Sequence, residues 1–274
     1  MFTRATQWGS STPDEREERI EELELFLKSI ISAPEKERDL EMQLRILKRL
    51  AEIYLTHGDF QKSIAYAHEQ VELSRHLLGE DHLMTGGAYN DLGLVLLNSE
   101  RFPEAETYLS RALAIARNSK QQNGESISLC LSNLAIVCLH QSKRQEAKKL
   151  LQESLKIQQG RLTVPHLSTA YSLSQLAGIE QIEGHYQEAA DYQQQALFIF
   201  RALLPESHVD IAIGVNNLAT IYYQQGKLLE AEKLFNEALT IAIPVLGEDH
   251  PTTKMMWNVY RDFQQEKGVA PALP

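Results

Sequence analysis

Two short runs in this sequence set carboxylates beside an imidazole: Glu80-Asp81-His82 and Glu248-Asp249-His250. Such donors suit a metal ion. Each run also lies where a linker enters a helix. There an Asp side chain satisfies the free N–H groups of the first turn, and Pro251 fits the first helical position. Capping by Asp is therefore the expected role, and no metal ligands are assigned. Cys130 and Cys138 lie eight residues apart on one helix, a rise of about 12 Å. A disulfide needs Cα atoms within about 7 Å, so these thiols cannot pair with each other. They fall in apolar columns and are expected to be buried. Cys138 and His140 are two apart on a helix and face different ways. No Gly-x-x-x-x-Gly-Lys, His-Glu-x-x-His or Gly-x-Ser-x-Gly occurs. The expectation is a chain that is not an enzyme, with no catalytic residues and no cofactor.

Charge and composition narrow the partners. Lys+Arg is 27 and Asp+Glu is 37, giving a net charge of −10 over 274 residues. A protein that holds nucleic acid through phosphate contacts is not expected from such a chain. Two cysteines do not make a disulfide scaffold. No run approaches 18 apolar residues, and the first twenty contain no apolar signal region. A cytoplasmic protein with no membrane partner is expected. The length exceeds what one simple core usually holds, which points to two domains or a repeat array.

The repeat is plain. Leu50-Ala51, Leu92-Gly93, Leu134-Ala135, Leu176-Ala177 and Leu218-Ala219 follow one another at a step of 42. The same step relates Ser63, Ala105, Ala147, Ala189 and Ala231, and again Val71, Leu113, Leu155, Leu197 and Leu239. Inside each unit the apolar spacing is helical, as in Tyr89, Leu92, Leu96 and Leu97. Short breaks such as His57-Gly58-Asp59, Asn98-Ser99-Glu100, Glu183-Gly184-His185 and Gln225-Gly226-Lys227 separate two helices per unit. Glycine there suits the left-handed residue that ends a helix. Small residues at fixed columns let helix backbones cross closely. A unit cannot bury its apolar face alone, so the units must stack.

These columns resemble the tetratricopeptide repeat, with its Leu-Gly/Ala, aromatic, Ala and Ala-Leu positions. The usual period of that repeat is about 34; the longer period here resembles the variety found in kinesin light chains. The phrases Asn216-Asn217-Leu218-Ala219-Thr220-Ile221-Tyr222, Gln225-Gly226-Lys227 and Leu246-Gly247-Glu248-Asp249-His250-Pro251 carry the likeness. The resemblance implies an all-α, right-handed α-solenoid of helix–turn–helix units. The middle units depart most. Glu180 is polar where the other units hold Tyr54, Leu96, Cys138 and Tyr222, and Arg144 replaces the residue seen as Phe60, Phe102, Tyr186 and Leu228.

The expected organisation is a flexible tail over 1–13 and an acidic capping helix over 14–34. The array spans 38–263, with five 42-residue units and a closing helix, and a second flexible tail covers 264–274. Residues 14–24 carry a net charge of −5. Ile20, Leu23, Phe26 or Leu27, and Ile30 form the apolar stripe of that helix. Its acidic side is either a solvated cap or a cover for a basic part of the groove. In the closing helix Met256, Trp257, Tyr260 and Phe263 are the expected buried contacts.

Stacked units present an inner surface lined by the first helix of each unit. Two columns next to the small residues read Arg49, Asp91, Asn133, Gln175, Asn217, Val259 and Lys48, Asn90, Ser132, Ser174, Asn216, Asn258. Asn and Ser are placed there against helix propensity. Both columns are expected to be exposed. An amide offers a donor and an acceptor to an extended peptide backbone. The family resemblance implies an amide ladder at Asn90, Asn133, Asn216, Asn217 and Asn258. Bonding of these amides to neighbouring helices, stiffening the array, is the competing role. Arg45, Lys48 and Arg49 form a basic corner for an acidic group, and Leu94, Leu97, Ile136, Leu139 and Tyr223 offer apolar pockets. Gln175 completes the expected groove. The expected function is a scaffold that binds a protein or peptide ligand, as a monomer or weak homo-oligomer. The alternatives are a self-associating assembly module and a peptide-responsive regulatory domain.

Overall fold

Five helical pairs at one period follow from the repeated pattern, and the computed structural model contains them. It describes residues 13–33, 39–119, 124–161 and 166–266. Helix α1 (Pro13–Ser32) comes first. The pairs are α2 (Leu40–Thr56) with α3 (Phe60–Leu78), α4 (Leu83–Asn98) with α5 (Phe102–Asn118), and α6 (Gly124–His140) with α7 (Arg144–Arg161). They continue with α8 (Leu167–Ile182) and α9 (Tyr186–Leu203), then α10 (Val209–Gln224) and α11 (Leu228–Leu246), and α12 (Pro251–Glu266) closes the series. Among the described residues there is no strand, and no helix is long and apolar enough to cross a membrane. Helix α12 runs past 263, so residues 264–266 are helical where a tail was expected. Pro13, the last residue of the expected first tail, opens α1, and the rest of both expected tails lies outside the described residues. The chain divides into two compact units, Met1–Leu150 and Leu151–Pro274, with the division inside α7.

Within a pair, close approach at the small residues sets the packing. Ser63 and Ala51 are both buried, and the Ser63 hydroxyl donates to the Ala51 carbonyl at 2.7 Å. At Gly93 an added Cβ would lie 2.6 Å from Leu109 Cγ, so α4 and α5 meet closely enough that a side chain there would force Leu109 to shift. Ala105, Ala147, Ala189 and Ala231 are all fully buried. Helix α1 packs on α2 through Leu27 and Ile30, which join Ile46, Leu47, Leu50 and Tyr54 in one apolar cluster. Of the two candidates for its stripe, Leu27 is inside and Phe26 is exposed. In α12 Met256, Tyr260 and Phe263 are buried, while Trp257 is only half-buried.

The turns between paired helices repeat one geometry. Gly58, Glu100, Ser142, Gly184 and Gly226 all have positive φ, between 60° and 81°. Each is followed by an N–H that reaches back to a carbonyl five residues earlier: Asp59 to Tyr54, Arg101 to Leu96, Lys143 to Cys138, His185 to Glu180 and Lys227 to Tyr222. This is the Schellman closure of a helix. Three units supply glycine; the other two hold a side chain in the left-handed region.

The linkers correct one expectation. Histidine, not aspartate, caps the helices they enter. Backbone N–H groups of Met84, Ser168, Asp210 and Thr252 donate to Nδ1 of His82, His166, His208 and His250. Nδ1 of a neutral imidazole lies as many bonds from the backbone as an Asp or Asn side-chain oxygen, so it can accept the same donor. Asp81 is exposed, and Asp249 pairs with Lys254 at 2.8 Å.

Because an L side chain in the left-handed region costs roughly 1–2 kcal/mol, Gly226→Ala should lower unfolding stability by about that amount. Ser142→Gly, which relieves the same strain at the cost of a freer unfolded chain, should be neutral or stabilising by up to about 1 kcal/mol. Urea denaturation of the two variants checks the opposite signs.

Candidate functional site

In Met1–Leu150 the first helices α2, α4 and α6 lie side by side. Their polar columns meet at a step of one repeat plus one residue. Lys48 Nζ pairs with Asp91 at 2.9 Å, and Asn133 Nδ2 donates to Asn90 Oδ1 at 2.9 Å, each pair 43 residues apart. Gln70 Nε2 from α3 also donates to Asp91, at 3.3 Å. Asn90 and Asn133 are 4% and 5% exposed. The expectation of an exposed amide column is thus wrong at these positions. Neighbouring first helices approach closely enough for the two short amides to hydrogen-bond to each other. The basic corner is divided as well. Lys48 belongs to Asp91, Arg49 pairs with Glu52 at 3.1 Å, and Arg45 is exposed.

In Leu151–Pro274 the same columns end differently. Gln175 and Asn216 are buried, at 7% and 3% exposure, while Asn217 is half-buried. Ser174 Oγ donates to Gln193 Oε1 at 2.9 Å, and Gln193 Nε2 donates to the Gly214 carbonyl at 3.1 Å. Gln181 Nε2 meets Gln224 Oε1 at 2.9 Å, again 43 residues on. For Asn216 that step leads to Val259, which has no polar side-chain group. The Oδ1 of Asn216 and the Oε1 of Gln175 are buried with no hydrogen-bond donor. Tyr223 packs edge-on to Phe263, ring centres 5.3 Å apart, and so helps seat α12. Asn258 is exposed and accepts from Arg261 at 2.9 Å. Leu97 is buried, whereas Leu94, Ile136, Leu139 and Tyr223 are half-exposed.

The acidic helix finds partners that the sequence reading missed. Glu24 Oε1 accepts from the Tyr54 hydroxyl at 2.6 Å and the Tyr66 hydroxyl at 2.8 Å. The Tyr54 hydroxyl above all, with Tyr66 and Lys62, holds the Glu24 carboxyl below its usual range against partial burial. Burial, aided by the Glu24 carboxylate, pushes both phenols up. Glu24 is therefore engaged at α2 and α3 through tyrosines, not through Arg45, Lys48 or Arg49. Asp91, Gln70 and Gln193 also carry polar contacts not assigned from sequence. Asp91 alone had a signal, an acidic residue in a column otherwise filled by amides, Arg49 and Val259.

Cys130 and Cys138 are buried free thiols, as expected. Burial, with Asp91 adding to it, pushes the Cys130 thiol up to about 12; burial, with Glu146 and Glu106, pushes Cys138 up to about 11. Neither is a nucleophile at neutral pH.

A sequence profile described as Tetratricopeptide repeat matches residues 42–118, 127–202 and 210–259. No curated protein sequence matches the chain. The fold is similar to several solved structures. BtubC (BKLC) from P. vanneervenii aligns at a TM-score of 0.70 and 17% identity, covering 96% of each chain. The nearly identical TPR-like repeats of a protein described as a putative kinesin light chain of Podosopora anserina align at 0.59 and 25% identity, covering 74% of this chain and 96% of that one. The apo form of the quorum sensor NprR from B. thuringiensis aligns at 0.68 and 15% identity, covering 93% of this chain and 65% of that one. The chain is thus an α-solenoid of helix–turn–helix repeats.

Two measurements check the site's chemistry. Asn90→Ala leaves the buried Asn133 amide without its acceptor and should cost about 1–3 kcal/mol in urea unfolding, against less than about 0.5 kcal/mol for a surface control such as Lys233→Ala. The raised thiols favour the folded state below the unfolded thiol value of about 8.5, and that contribution fades as pH rises toward 11 and 12. At pH 8 a thiol-specific reagent should label neither cysteine until the chain unfolds, with labelling rates equal to unfolding rates.

Proposed function

Because the chain belongs to the tetratricopeptide repeat family, we propose that it is a non-catalytic scaffold whose first-helix face binds an extended peptide or a partner's unstructured segment. The observation that supports this is the unsatisfied amide oxygens of Gln175 and Asn216, two of seven such buried side-chain atoms among the described residues and the two that lie in the first-helix amide columns. A buried carbonyl oxygen without a donor costs about 1–3 kcal/mol. A backbone N–H of a bound strand supplies that donor after a small side-chain rotation. Asn217, Asn258 and Tyr223 flank them in sequence columns and offer further donors and an aromatic edge. In Met1–Leu150 the same face is closed by its own pairs, Asn90 with Asn133 and Lys48 with Asp91. Within that unit the exposed Arg45 is a separate candidate anchor for an acidic group. The apo quorum sensor among the similar structures supports a ligand-binding use of this fold. Two free thiols fit a cytoplasmic setting.

The double variant Asn216→Ala, Asn217→Ala tests this. Affinity capture from the native cell should lose the partner, while the thermal midpoint stays level or rises because an unsatisfied oxygen has been removed. A parallel fall in stability and capture would assign both residues to the fold.

A further inference from the structure

Glu180 is the polar exception in a column otherwise filled by Tyr54, Leu96, Cys138 and Tyr222. Its side chain is 6% exposed at the end of α8. Its carbonyl receives the His185 N–H that closes the turn, at 2.9 Å. In such turns the side chains at these two positions usually make an apolar contact. Here they are a carboxylate and an imidazole. Glu180 Oε2 lies 2.9 Å from His185 Nδ1, and Glu183 Oε2 lies 3.8 Å from the same nitrogen. One donor atom from each of the three side chains falls within 4.8 Å of the others. The helix end adds its own negative potential, and α8 has no basic residue in its last turn.

We propose that Glu180, Glu183 and His185 bind a divalent transition-metal ion, Zn²⁺ foremost, at the turn between α8 and α9. The ion takes the place of the proton at Nδ1. Zinc–nitrogen and zinc–oxygen bonds of 2.0–2.2 Å in a tetrahedron set donor separations of roughly 3.3–3.5 Å. The two Nδ1–oxygen separations straddle that range and need about half an ångström of adjustment each. One imidazole and two carboxylates give a site that neutralises a divalent ion, and three protein ligands leave a fourth position open. Imidazole favours zinc over Mg²⁺ and Ca²⁺, which take oxygen donors. Both carboxylates have other polar contacts as well, and zinc competes with these. The three ligands come from six consecutive residues, so the site is local to one turn and independent of the peptide-binding reading.

Isothermal titration of Zn²⁺ into the full chain at pH 7.5 tests the proposal. One saturable site per chain is expected, absent with Mg²⁺. Glu183→Gln and His185→Ala should each weaken zinc at least about tenfold, with unchanged circular dichroism. The control His57→Ala should bind as wild type does. Glu183→Gln, on a partly exposed side chain, keeps the test valid if His185→Ala disturbs the turn. Absence of saturable zinc binding, or binding retained by both variants and so placed on another of the nine histidines, overturns the proposal.

Discussion

Close backbone approach within each helical pair is the constraint on which the rest depends. Ser63 against Ala51, and Gly93 against Leu109, leave no room for larger groups. Large side chains then pack around the crossing: Leu47, Leu50, Leu92, Leu96, Leu109, Leu131, Leu151 and Leu176 are all buried. Close packing of this kind makes a core sensitive to a single methylene. A pair so close also needs its chain reversed, here within a tight turn. The chain meets that demand with one left-handed residue at every junction. It does so even where Glu100 and Ser142 must hold the strained conformation without glycine's freedom.

A second layer of order is polar. Between neighbouring first helices, side chains meet at a step of 43: Lys48 with Asp91, Asn90 with Asn133, and Gln181 with Gln224. Buried amides are costly alone and stable in pairs. The repeat therefore uses them where two helices face each other, and where the partner column turns apolar at Val259 the amide oxygen of Asn216 is left without a donor. The same columns thus pair across helices at one place and leave a buried oxygen without a donor at another.

Much of this was legible in the sequence. The period, the helical spacing, the small-residue columns and the glycine breaks each report a local rule, and such rules hold wherever the units stack. Glu180 stood out because a carboxylate in an apolar column has no local reason to be there. The exposure of the amide columns was misjudged because burial between adjacent helices depends on interhelical distance, which a residue pattern does not contain. The caps were misassigned for a related reason: Asp81 and His82 are equally suited by type. Which one accepts the Met84 N–H depends on where the linker places the first turn.

What the amino-acid order alone determined is the brick: two helices, their crossing residues and the turn that joins them, all fixed by contacts between residues near in sequence. Tertiary packing alone decided which polar groups find each other across bricks, as Glu24 finds Tyr54 and Tyr66 and Asn90 finds Asn133. The physical reason is range. Helix geometry is set within a few residues, whereas hydrogen bonds between elements require sub-ångström placement of chains that are 30 to 43 residues apart.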